Sequence, residues 1–186
     1  NALPGYDEDN WLCKYNYLQS LRAPLTFDQL VGPIGYVEGN KSRLTNPTSY
    51  CWPTAFSNNI MMAGKHYALF EVRNRGVCLL LGVMRPGEAM QSASGTPLMP
   101  DFYEHFTQRR GSRQYNNSVN CCIYSTYSGT CCSSDWGGGK ANRKAWDGME
   151  RLYAPGKVGM LLDLDEGTLS IYKNDKRLGV MKRGLA

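Results

Sequence analysis

A chain of 186 residues has the length of one domain, or of one domain with an extension, and is long enough to build a core without metal or disulfides. Its 42% hydrophobic and 20% charged residues are an ordinary globular mixture, and no run approaches the roughly 18 apolar residues of a membrane span. The net charge of +5 is scattered rather than gathered into a basic tract, so neither nucleic acid nor membrane is an expected partner.

The first 25 residues read as a separate N-terminal extension. Leu12, Tyr15, Leu18 and Leu21 recur every third residue, which predicts a short helix ending before Pro24. Between Phe27 and Asn59 the density of Gly, Pro and Asn permits only short strands and loops. Residues 66–72 and 77–84 are expected to form a strand pair around the turn Asn74-Arg75-Gly76. The second strand, apolar on both faces, is expected in the middle of its sheet. A Gly, Ser and Pro-rich loop follows from 85 to 100. Asp101 is placed to cap a short helical stretch carrying Phe102 and Phe106 on one face.

Residues 120–127 and 130–136 read as a hairpin around Ser128-Gly129, followed by Gly137-Gly138-Gly139. The C-terminal third is the plainest. Val158, Met160, Leu162 and Leu164 alternate with Gly159, Leu161, Asp163 and Asp165, which predicts one inward and one largely polar face. Asp165-Glu166-Gly167 turns the chain, and Leu169 and Ile171 alternate in the next strand. Asn174-Asp175 suits a two-residue hairpin turn with positive φ, and a third strand carries Leu178 and Val180 inward. With no βαβ alternation, the class is all-β.

The segment from Val158 to Asn174 resembles the signature of SPRY domains: an apolar strand ending in Leu162-Asp163, then Gly167-Thr168-Leu169-Ser170 and Tyr172-Lys173-Asn174. Arg177-Leu178-Gly179-Val180-Met181 continues the likeness. So does Gly64-Lys65-His66-Tyr67 through Val72 with Leu81-Gly82-Val83, where Ala68 stands in the place of the family's usual tryptophan. Trp146-Asp147-Gly148-Met149-Glu150 leading to Gly156-Lys157 resembles the family's entry to its long strand. The resemblance covers about residues 26–186. It implies a bent β-sandwich of two antiparallel sheets, SPRY or concanavalin-like, behind the short N-terminal helical extension of residues 1–25. The family normally runs one or two strands further, so an open sheet edge is expected. The implied role is non-catalytic recognition of a protein or short peptide through surface loops, as in the substrate-recognition part of a ubiquitin ligase or in a scaffold.

Chemistry in the residues themselves is sparse. Asp163-x-Asp165-Glu166-Gly167 has its glycine at position five of a calcium loop rather than six, and Asn174 rather than Glu at position twelve, so it reads as a turn. Gly137-Gly138-Gly139-Lys140 lacks the upstream glycine and the following Ser or Thr of a phosphate loop. There is no Gly-x-Ser-x-Gly elbow, and His66 and His105 read as structural. No catalytic residue, cofactor or metal is expected.

Seven cysteines include the adjacent pairs Cys121-Cys122 and Cys131-Cys132. Neighbours in a strand point to opposite faces, so each face of the hairpin can gather only two of these sulfurs, one from each strand. Buried free thiols in a reducing, intracellular compartment, cytoplasmic or nuclear, fit best. A redox-sensing use of the pairs would require a thiol pKa well below about 8.5.

The expected partner-binding residues are Tyr124, Tyr127 and Trp136 from the hairpin, with Arg109, Arg110 and Arg113 from the loop before it. Tyr, Trp and Arg supply rigid contact area and forked hydrogen bonds at interfaces. The rival reading is a carbohydrate-binding, lectin-like sandwich, because the same aromatics stack on sugar rings.

Overall fold

The computed structural model describes residues 25–46, 53–73, 79–85, 121–133, 142–152 and 155–185. Within them the chain is all-β, with no helix. In chain order the strands are β1 (Gln29–Val31), β2 (Gly35–Val37), β3 (Asn40–Thr45), β4 (Thr54–Phe56), β5 (Lys65–Val72) and β6 (Leu80–Met84). They continue with β7 (Cys121–Ser125), β8 (Cys131–Ser133), β9 (Asn142–Lys144), β10 (Gly156–Asp163), β11 (Thr168–Lys173) and β12 (Lys176–Arg183). Two four-stranded antiparallel sheets, β12-β11-β10-β5 and β6-β7-β8-β9, are accompanied by two small pairs, β1-β4 and β2-β3. The predicted N-terminal helix, the turn at 74–76 and the capped stretch after Asp101 lie outside the described residues.

The sequence alternation of β10 and β11 makes the core. Met160 lies opposite Ile171 and Leu162 opposite Leu169, so these inward residues meet apolar partners across the ladder. These side chains, with Val158, Met181 and Leu185, join Cys122, Tyr124 and Cys131 of the other sheet in one buried cluster. The architecture is therefore sandwich-like: both large sheets contribute to a single apolar interior. Each fully buried Val, Leu, Ile or Met contributes on the order of 1.5–3 kcal/mol.

The outer face of β10 and β11 departs from the expected polar pattern. Leu161 and Tyr172 are buried there with Tyr67 of β5 packed against them, and Asp163 and Ser170 are buried as well. Tyr67 and Tyr172 meet edge to face, with centroids 5.8 Å apart and planes at 77°. Gly159 makes this possible, because a Cβ there would collide with the Tyr67 hydroxyl.

The expected pairing of residues 66–72 with 77–84 is corrected. β5 runs antiparallel to β10, from Gly156↔Val72 to Asp163↔Lys65, whereas β6 pairs with β7 in the other sheet. β6 also stands at the end of its sheet's order, not in the middle, and its side chains are half-buried. The reason is visible at Leu79. Its N–H donates to Thr126 Oγ1 and its carbonyl accepts from Thr126 N–H, each at 2.9 Å, which aligns the following residues with β7. A run apolar on both faces fits either sheet and does not name its neighbour.

The hairpin β7–β8 and the meander β10–β11–β12 are present. Asn174 and Asp175 both adopt positive φ, 49° and 66°, the geometry of a two-residue turn that follows the twist of its strands. No helix among the described residues is long and apolar enough to cross a membrane.

Candidate partner-binding edge

One end of the structure gathers the β7–β8 turn, the segment 145–152, the start of β10, the β11–β12 turn and the end of β5. Residues 126–130 turn the chain between β7 and β8. Gly129, with φ of 72°, donates its N–H to the Ser125 carbonyl at 2.7 Å, and Ser125 N–H reaches the Thr130 carbonyl at 3.0 Å. A Cβ at Gly129 would strike the Glu150 backbone, so the turn lies flush on the 145–152 segment. Trp146 Nε1 donates to the Gly129 carbonyl at 2.8 Å, and Leu152 N–H to the Thr126 carbonyl at 2.9 Å. Tyr127 projects from this pinned turn and is 67% exposed. Met149, 40% exposed, lies on the segment alongside.

Tyr124 is placed differently from the surface role expected of it. Its ring is fully buried in the shared core, and its hydroxyl donates to the Glu150 carbonyl. Burial, and then the nearby Glu150 charge, push the phenol up to about 12. Tyr124 therefore offers no surface to a partner. It anchors the segment against which the Tyr127 turn rests. Trp136, Arg109, Arg110 and Arg113 lie outside the described residues.

Glu150 has a second task. Its carboxylate accepts from Lys173 Nζ at 2.9 Å, and that hydrogen bond holds it below the usual glutamate range. Beyond it opens a shallow groove of about 430 Å³, lined by Glu71, Val72, Arg73, Pro155, Gly156, Lys157, Asn174 and Asp175. Its floor is fixed by two bonds: Lys157 N–H to Asn174 Oδ1 at 2.9 Å, and Asn174 N–H to the Lys157 carbonyl at 3.0 Å. The rim mixes signs, with Arg73 on Glu71 at 3.3 Å and Lys157 near Asp175 at 3.9 Å.

Sequence reasoning did not find this groove, because its three segments are distant in the chain. It also passed over Ile60 and Met62, 73% and 88% exposed at the opposite end. Three consecutive apolar residues, Ile60-Met61-Met62, before Ala63-Gly64 were the available signal.

That opposite end holds the acidic motif. Asp163 Oδ1 accepts the N–H groups of Asp165 at 3.1 Å and Glu166 at 3.0 Å, and Oδ2 faces Lys65 Nζ at 3.3 Å. The Glu166 N–H bond, with help from Lys65, lowers the Asp163 carboxyl. Asp165 Oδ1 in turn takes the Gly64 N–H at 3.0 Å. These carboxylates are committed to holding two turns together. Among the described residues no group of three or more His, Cys, Asp or Glu is placed to hold a metal ion. His66 spends Nε2 on the Ala63 carbonyl at 2.8 Å.

The cysteines divide by face as strand geometry requires. Cys122 and Cys131 face the shared core with sulfurs 3.8 Å apart, while Cys121 and Cys132 join Ile123 on the other face. No protein-family model, no curated protein and no solved structure matches this chain.

Proposed function

We propose that this chain is a non-catalytic interaction module of the SPRY type, a bent sandwich that recognises a protein or peptide partner through the loops at one edge. Within a larger protein, such as a ubiquitin ligase or a scaffold, it would supply recognition while other parts supply activity, in a cytoplasmic or nuclear setting. The sequence likeness from Val158 to Asn174 supports the family reading. The observation that carries the functional one is Tyr127, a large aromatic displayed on a turn that four backbone or indole hydrogen bonds hold still. A rigid, exposed aromatic binds with little loss of conformational freedom, and such residues dominate interface energies.

The test is capture of lysate proteins by the full chain and by Tyr127→Ala, quantified by mass spectrometry, with circular dichroism on both. Tyr127→Ala should melt within about 0.5 kcal/mol of the parent, as an exposed side chain does. Captured partner should fall by about tenfold or more. Retention by both Tyr127→Ala and Arg73→Glu would remove this edge from the reading. If the folded parent enriches no protein, the module reading fails, and a glycan array then tests the lectin-like alternative.

A further inference from the structure

Cys122 and Cys131 take no part in the surface described above. Each closes the core of its own strand, and as packing units two small apolar side chains would serve there without meeting. They do meet: the two sulfurs lie 3.8 Å apart, in hydrogen-bond contact across the β7–β8 hairpin. The surroundings of the two thiols differ. Cys122 and Cys131 share a hydrogen bond in which either sulfur can donate, Ser133 also bonds Cys131, and the ammonium groups of Lys182 on β12 and Lys144 on β9 lie near enough to favour its anion. The shared bond, first among these, lowers Cys131, while the same contact and burial push Cys122 up. With the two sulfurs in contact, a thiolate on one faces a thiol on the other within reach. A disulfide spans about 2.05 Å, so the sulfurs have about 1.8 Å to close. Cys122 pairs with Ser133 and Cys131 with Tyr124, a diagonal two residues out of register, so closure takes a shift of the hairpin backbone as well as side-chain rotation. Cys122 is 0% and Cys131 3% exposed, so an oxidant reaches the pair when the hairpin opens locally.

We propose that Cys122 and Cys131 are a two-electron redox site, oxidised by hydrogen peroxide to an intramolecular disulfide across the β7–β8 hairpin. The Cys131 thiolate attacks one peroxide oxygen. An S–O bond forms, the O–O bond breaks, and the departing hydroxide takes a proton to leave as water. Cys122 sulfur then attacks Cys131 sulfur. The S–S bond forms, the S–O bond breaks, and the hydroxide released takes the Cys122 proton as a second water. Two thiols and one peroxide become one disulfide and two waters, with both electrons drawn from the sulfur pair. The resulting ring encloses the turn that carries Tyr127.

The experiment treats the folded full chain with hydrogen peroxide, alkylates remaining thiols in denaturant, and cleaves with chymotrypsin after Tyr124 and Tyr127. These cuts separate the peptide bearing Cys121 and Cys122 from that bearing Cys131 and Cys132. The expected product is the two peptides joined, lighter by two hydrogens and released by reductant. The Cys121→Ser/Cys132→Ser double variant should keep the link, since in it only Cys122 and Cys131 can join these peptides. Cys131→Ser should lose it. A link absent from the double variant, a sulfinic acid at Cys131 without a link, or thiols still reduced when free glutathione is fully oxidised would each overturn the assignment. The readout is a covalent mass, so it stands or falls apart from any partner binding at Tyr127.

Discussion

Burying the Tyr124 ring takes a hydroxyl out of water, and the Glu150 carbonyl replaces that water. Tyr124→Phe keeps the ring and removes the donor. It should cost about 1 kcal/mol in urea denaturation, the usual net worth of one such bond, and leave the core packed. A loss near zero would mean that the carbonyl finds another donor. Asp163 makes a prediction of a different kind. Its folded pKa is depressed by the Glu166 N–H bond and Lys65, so its contribution is fully present above the ordinary aspartate value of about 3.9. That contribution is lost as pH falls through the lower, folded value. Urea midpoints from about pH 6 to about pH 2 should therefore fall less steeply in Asp163→Asn than in the parent, from a lower starting point. Parallel curves would show that the carboxylate gains nothing from its turn.

At the scale of the element, the meander was legible and the strand pair was not, for one physical reason. β10, β11 and β12 alternate, and two-residue periodicity together with short turns fixes both the face and the neighbour of each strand. The Asn174-Asp175 turn could be read from its dipeptide alone. Because Asp175 holds φ of 66° with a Cβ, Asp175→Gly should stabilise the hairpin by about 0.5–1 kcal/mol, visible as a raised thermal midpoint. The exposed Lys157–Asp175 contact it removes is worth little. β6 gave no such information. Its run is apolar throughout, and its place beside β7 is decided by Leu79 and Thr126, 47 residues apart. The polar outer face predicted for β10 failed similarly: Tyr67 from β5, over Gly159, packs against Leu161 and Tyr172, a contact that β10 and β11 alone do not announce.

For the molecule as a whole, the candidate edge shows how far one dimension reaches. Tyr127 is nominated as a hairpin aromatic at the end of the expected strand 120–127; β7 ends at Ser125 instead, which leaves Tyr127 exposed on the turn. Tyr124, nominated beside it, is three residues away and lies inside the sandwich. The groove could not be nominated, since Arg73, Lys157 and Asn174 become neighbours only when β5 docks on β10. That docking sets a schedule. Gly64 and Asp165, hydrogen-bonded in the finished structure, are 101 residues apart. A ribosome adding about 5–20 residues each second leaves roughly 5–20 seconds between them. Once β5 has cleared the ribosomal tunnel, and until β10 is made, its backbone amides lack their ladder partner. Expression should suffer first where translation through residues 73–156 is slowed, because that lengthens the interval before β10 can pair with β5.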